Sequence, residues 1–206
     1  MLSVLLVTLD AMPWVRSAIA QAEACRVEHG AEVVAVDAGS RDGTMEALSA
    51  MRGWTVLRQR RPGLAAARNE AIAASRGSVV SFLDADDEWL PGKTAAQLAT
   101  LERDEDLDMV AVLLRKAGPQ GDGSVHPAWT PSGCMMRRRA FEKAGPFDEG
   151  LRIACDHEWF MRARRAGLGA RLLEECLLVK HLHDDNLSNR RAEYRAELLR
   201  VLRSDG

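Results

Sequence analysis

Ser78-Val-Val-Ser-Phe-Leu-Asp-Ala-Asp-Asp-Glu-Trp89 is the stretch from which the rest of the chain is read. Its apolar, β-branched opening has the character of a short buried strand. The strand runs directly into three carboxylates, Asp84, Asp86 and Asp87. Asp84 and Asp86 are two positions apart, so extended backbone turns both to one face. Like charges held that close repel unless something positive lies between them. A divalent cation is the simplest such partner, because carboxylate oxygens suit Mg, Mn and Ca. Taken alone, the same residues also read as a solvated acidic turn in which Asp86 or Asp87 caps a following helix. The neighbouring segments decide between the two.

Upstream, strand and helix patterns alternate with short connections. Ser3–Leu9 is a nearly continuous apolar run, as in a parallel strand covered on both faces. Asp10 and Pro13 open a helix that His29-Gly30 ends. Glu32–Val36 is a second strand, and Asp37–Thr44 a turn-rich loop into a helix over Met45–Met51. Trp54–Leu57 is a third strand, and the alanine-rich Leu64–Ala74 a third helix closed by Gly77. Such alternation predicts right-handed βαβ units around a parallel sheet. Ligands of these sheets bind outside the carboxyl ends of the strands. Asp10, Asp37 and Asp84–Asp87 all fall at such ends, and so are expected to share one crevice.

Downstream, Lys93–Leu101 reads as a helix and Glu102–Asp108 as a solvated acidic run. Strands are expected at Met109–Leu114, Gly133–Arg137, Arg171–Leu173 and Leu177–Val179, with Gly118–Ser124 a flexible loop. Arg138–Ala144 and Asp156–Ala166 read as helices, the second stopped by Gly167. Ser188–Arg203 is a closing amphipathic helix whose arginines form a solvated face or touch an anionic lipid surface. Trp89 and Trp159 are expected in the core or a pocket wall, and Trp129 as a platform for an acceptor.

A length of 206 residues suits one domain with a full core. Apolar residues make up 47 % and charged ones 28 %, and a net charge of −2 speaks against a nucleic-acid partner. The scattered Cys25, Cys134, Cys155 and Cys176 have no metal-ligand spacing and read as thiols of a reducing compartment. Met1–Leu9 has no basic leader, and no apolar run reaches the roughly 18–20 residues of a membrane span. The expected location is cytoplasmic, with no transmembrane segment and peripheral membrane contact left open.

Four segments in order carry a resemblance: VVAVDAGSRDGT (Val33–Thr44), GLAAARNEAI (Gly63–Ile72), SFLDADDEW (Ser81–Trp89) and CDHEWFMRARRAG (Cys155–Gly167). AGPFDEGL (Ala144–Leu151) and HLHDDNLS (His181–Ser188) fit the same pattern. The chain resembles family 2 inverting glycosyltransferases. The resemblance implies an α/β GT-A fold, a Rossmann-like, mostly parallel central sheet flanked by helices, as a single domain over residues 1–206. Residues 1–100 then form the nucleotide-binding half and residues 101–206 the acceptor-binding half.

The implied reaction moves a sugar from a nucleoside-diphosphate sugar, UDP-sugar favoured, to an acceptor nucleophile. The acceptor is a small molecule, peptide, glycan or lipid carrier. By the same resemblance Asp37 binds the base, Thr8 and Asp10 line the nucleoside, and Arg68 lies on the nucleotide side. Asp84-Ala85-Asp86 matches the D-x-D element of the donor site, with Asp86 the direct ligand of Mn2+ or Mg2+ and His183 completing the metal and diphosphate site. Asp156 matches the catalytic base. The sequence departs from the family pattern at Val7-Thr8-Leu9-Asp10, at Asp37-Ala38, at Cys155 and at His181.

Each residue has a plainer reading beside that one: Asp156 as a helix cap, Asp37 as a turn-former, His183 as an ordinary surface or core histidine, Arg68 as an ion-pair partner. Other classes compete as well. A sugar-phosphate nucleotidyltransferase needs a Gly-rich basic loop, which Thr8–Trp14 lacks. A receiver domain needs an acidic pair after its first strand, where this chain has only Asp10. A GT-A-like binding protein without catalysis is the remaining alternative, against which Asp84, Asp86 and Asp156 argue.

Overall fold

The structure is a computed structural model, which describes residues 1–184 and 186–204. Strands β1 (Leu2–Thr8), β2 (Glu32–Asp37), β3 (Thr55–Arg58) and β4 (Val79–Asp84) alternate with helices α1 (Met12–His29), α2 (Thr44–Ser49) and α3 (Leu64–Ala74). The four strands pair in parallel in the order β3-β2-β1-β4. Strand β1 is apolar throughout because both its faces are covered. Val4 and Leu6 join the core under α1, and Leu5 joins the core on the α3 side. Helix α1 ends where Gly30 takes φ 61°, a left-handed conformation that glycine adopts without a Cβ clash.

The second half adds β5 (Asp87–Trp89), α4 (Lys93–Arg103), β6 (Met109–Ala117), β7 (Val125–Pro127), β8 (Cys134–Arg137), α5 (Arg139–Ala144), α6 (Cys155–Arg165), β9 (Ala170–His181) and α7 (Arg191–Ser204). The sheet continues from β4 as β8-β6-β9-β5, with β7 on β6. Pairing is parallel through the first four strands and again between β6 and β9; β5, β7 and β8 run antiparallel to their neighbours. This is the expected GT-A architecture, a single α/β domain flanked by helices. Trp89 and Trp159 are buried in it, whereas Trp129 is exposed. Among the described residues no helix is long and apolar enough to cross a membrane, and the four cysteines are unpaired.

Several expectations change. The two short strands expected around Arg171–Leu173 and Leu177–Val179 are one strand, β9. Irregular register opposite Ala111–Leu114 lets it keep pairing with β6 along its length. Asp87–Trp89 caps no helix but forms β5 against β9, with Asp87 opposite Lys180. Gly118–Ser124 is tied down by bonds from Gly121 N to Gly118 O and from Gly123 N to Lys116 O. Its neighbour Val125–Pro127 makes strand β7, which the polar surroundings had hidden.

The acidic run is not wholly solvated. Asp108 is 1 % exposed and accepts from Arg139 Nε at 2.7 Å, Lys143 Nζ at 2.9 Å and Gly169 N at 3.0 Å. Burial alone would raise its carboxyl, but these donors outweigh it and hold the group below its usual range. A carboxyl lowered in the fold stabilises it above the unfolded value of about 4, and that contribution fades as pH falls through the folded value. Asp108→Asn is expected to cost about 2–3 kcal/mol at pH 7, read by urea denaturation. The gap to wild type should shrink below about pH 4; a variant as stable as wild type at neutral pH would contradict this account.

Candidate active site

At the carboxyl ends of β1 and β2 the two following loops are stitched together. Asp10 N donates to Ser40 Oγ at 2.8 Å and Arg41 N to Asp10 Oδ1 at 2.8 Å. Ala11 N donates to Thr44 Oγ1 at 2.9 Å, and Met12 N to Asp42 Oδ2 at 2.8 Å. Asp10 has φ 47°, the left-handed region that Asp and Asn tolerate best after glycine. Asp37 lies opposite Thr8 in the ladder and is fully buried. Its Oδ1 accepts from the Thr8 and Ser40 hydroxyls, and its Oδ2 from Gly39 N and Ser40 N. Four donors fill the acceptor capacity of a carboxylate. In this state Asp37 shapes the turn, and a nucleobase reaches it only by displacing one of these donors.

On the other side of β1, Val7 lies opposite Asp84, so Asp37 and Asp84 flank the end of the same strand. Arg68 of α3 is 2 % exposed, with its guanidinium against the rings of Phe82 and Phe147. Its Nη1 bonds Asp156 Oδ1, and its Nη2 lies 3.3 Å from Asp84 Oδ1. Arg68 thus bridges the end of β4 to the start of α6. Asp156 is not the cap of that helix, because Ala154 occupies the cap position. The cap is supplied from elsewhere: Glu197 of α7 accepts from the N–H groups of Arg152, Ile153 and Ala154, each at 2.9 Å. A carboxylate suits the positive end of a helix. Among the described residues Asp156 Oδ2 has no hydrogen-bond partner, which leaves that oxygen available.

Asp86 lies where β9 ends. His183 Nε2 is 3.4 Å from Asp86 Oδ2, and Asn186 Nδ2 donates to the same oxygen at 2.8 Å. Ala85 between the two aspartates is half-buried and packs against the core under α1. Asp87 points inward, 1 % exposed at its side chain and 3.7 Å from Lys180 Nζ. Burial pushes its carboxyl up, to about 7, against the pull of Lys180. Lys180 is itself raised, chiefly by Asp87 and further by Asp84 and Asp86, and stays an ammonium. The carboxylates Asp84, Asp86, Asp87 and Asp156 outnumber the cations Arg68 and Lys180.

Asp84, Asp86, Asp156, Arg68 and His183 therefore come together, whereas Thr8, Asp10 and Asp37 form a neighbouring cluster turned in on its own loops. A separate depression of about 640 Å³ runs along β3 and α3, lined by Arg58, Arg60 and Arg61, and does not include these carboxylates. Sequence reasoning missed Lys180, Ser40, Asn186 and Glu197. Asn186 and Ser40 left a signal, inside the HLHDDNLS and VVAVDAGSRDGT segments, and of the first Asp185 lies outside the described residues.

The family model described as Glycosyl transferase family 2 matches residues 6–166, more than half of the chain. The chain belongs to that family. It is 29 % identical over 213 residues to the succinoglycan biosynthesis protein ExoU of Rhizobium meliloti, over 84 % of this chain and 58 % of that protein. Among solved structures, S. aureus TarS 1-349 in complex with UDP-GlcNAc matches with a TM-score of 0.77 at 18 % identity, over 91 % of this chain and 60 % of that one. The mannosyltransferase PcManGT of Pyrobaculum calidifontis, in complex with GDP-Man and Mn2+, gives 0.75 at 18 % identity, over 99 % and 63 %. The chain thus spans 58–63 % of the length of these three proteins.

Removing one partner of a buried ion pair leaves the other charge uncompensated. Arg68→Met strands Asp84 and Asp156 together and is expected to cost about 3–5 kcal/mol in chemical denaturation. Arg68→Lys should recover part of that loss. A cost below about 1 kcal/mol for Arg68→Met, the level of an exposed pair, would mean that the bridge does not hold the site.

Proposed function

We propose that this chain is a metal-dependent, inverting glycosyltransferase, which moves a sugar from a nucleoside-diphosphate sugar, UDP-sugar favoured, to an acceptor hydroxyl. The reading rests above all on Asp84, Asp86 and Asp156 meeting at one rim, with an oxygen of Asp156 left unpartnered. The bound UDP-GlcNAc and GDP-Man with Mn2+ of the TarS and PcManGT structures agree with it. Residues 1–100 are read as the donor half and residues 101–206 as the acceptor half. Thr8, Asp10 and Asp37 then hold the nucleoside end, and the exposed Trp129 offers an aromatic face to an acceptor. Four unpaired cysteines suit a cytoplasmic setting.

Among the described residues, no group of three or more His, Cys, Asp or Glu side chains is arranged to hold a metal unaided. Asp86 and His183 nevertheless fit a cation that takes its other ligands from water and a diphosphate, the usual condition of Mg2+ beside phosphates. A histidine nitrogen next to a carboxylate is equally acceptable to Mn2+. When bound, the cation supplies Lewis-acid stabilisation of the charge on the departing diphosphate.

The chain's own residues do the rest. Asp86 would hold the cation with Asp84 beside it, and Lys180 and Arg68 offset the repulsion among these carboxylates. Asp156 Oδ2 takes the proton of the acceptor hydroxyl as its oxygen attacks the anomeric carbon. Attack from the face opposite the diphosphate forms the new glycosidic bond while the old C–O bond breaks, and the centre inverts. Arg68 holds the other oxygen of Asp156, so the base presents one fixed edge.

Asp156→Asn is expected to keep calorimetric affinity for UDP with Mn2+ while turnover falls about 10²–10⁴-fold. Asp86→Asn is expected to abolish the Mn2+-dependent part of UDP binding. Near-normal transfer by Asp156→Asn would remove it as the base, and UDP affinity indifferent to chelator would remove the cation.

A further inference from the structure

Trp14 stands in the first turn of α1, directly after Pro13, with its indole stacked on two histidines from the end of β9. The Trp14 and His183 ring centroids are 5.3 Å apart with planes at 24°, and those of Trp14 and His181 are 5.5 Å apart at 27°. The opening of α1 is a firm base for that ring, because Ala11 N and Met12 N are bonded to Thr44 and Asp42 across the neighbouring loop. His183 itself follows the end of β9 and belongs to no strand or helix. An imidazole on such a segment is free to rotate about its side-chain bonds unless something packs against it.

Asn186 holds the other side. His183 N donates to Asn186 Oδ1 at 2.6 Å, and Asn186 Nδ2 lies 3.2 Å from His183 Nε2 while it donates to Asp86. The imidazole is thus held between an aromatic face and a buried amide, with Nε2 directed at Asp86. Groups that orient a metal ligand typically change metal affinity by about 10–100-fold when removed.

We infer that Trp14 is a positioning residue for cation binding: its indole fixes the His183 imidazole beside Asp86 before the ion arrives. This rests on the reading above in which Asp86 and His183 hold the cation. Trp14 touches neither donor nor ion in this account and acts through His183 alone. Its removal therefore lowers affinity for the ion without adding to the loss caused by removing His183.

The test is Mn2+ affinity in the presence of UDP, followed by electron paramagnetic resonance on the full chain. The proteins are wild type, Trp14→Ala, Trp14→Phe, His183→Ala and the Trp14→Ala/His183→Ala double variant. Trp14→Ala is expected to bind Mn2+ about tenfold or more weakly. Trp14→Phe, which keeps an aromatic face, should stay within about threefold of wild type. The double variant should bind no more weakly than His183→Ala alone, since residues acting through one group are non-additive. Trp14→Ala with wild-type affinity, beside a weakened His183→Ala, overturns the role of Trp14 and leaves the cation site standing. Additive losses in the double variant overturn it too, because they place the effect of Trp14 in general stability. Wild-type affinity in His183→Ala overturns both the positioning role and the ligand reading beneath it.

Discussion

The buried pairing of Arg68 with Asp84 and Asp156 is the interaction on which the rest of the site depends. Its guanidinium is 3 % exposed, and the two carboxylates that it joins come from the end of β4 and the start of α6. Those elements belong to different halves of the chain, 88 residues apart for Arg68 and Asp156. Arginine suits the task because it never loses its charge and offers several donors in a fixed plane. Rings of Phe82 and Phe147 flank that plane and keep water from competing. A lysine in its place would keep the charge and lose the fork.

Around that bridge the fold repeats one device, a carboxylate anchoring something beyond its own element. Glu197 caps α6 from α7, and Asp108 gathers Arg139, Lys143 and Gly169. Asp37 gathers the turn that follows it. Asp37 and Asp108 each accept four hydrogen bonds from protein donors, and Glu197 accepts three. Asp86 and Asp156, both partly exposed, have fewer protein donors than these three.

What the sequence made legible follows from range. Strands β1, β2 and β4 announce themselves because burial on two faces demands unbroken apolar runs. Asp84 and Asp86 could be set at a strand's carboxyl end from the same pattern. Strand β9 could not be read as one piece, because Glu174 and Glu175 interrupt its apolar residues and only its pairing with β6 and β5 holds it together. Asp108 looked solvated because its cationic partners lie 31 and 35 residues away. Asp156 was assigned by resemblance, and nothing local revealed that Arg68 would be its partner. No pattern in the sequence singled out Trp14, and its stacking on His181 and His183 is a fact of tertiary structure alone.

The claim at the centre is that Asp86 and His183 meet one divalent ion that also meets a nucleoside diphosphate. Anomalous diffraction at the manganese edge, from crystals grown with UDP and Mn2+, tests it most directly. The account expects a single strong peak about 2.0–2.6 Å from a carboxylate oxygen of Asp86 and from His183 Nε2, with diphosphate oxygens completing the shell. A manganese peak remote from both residues, or UDP seated in the arginine-lined depression along β3 and α3, would contradict it.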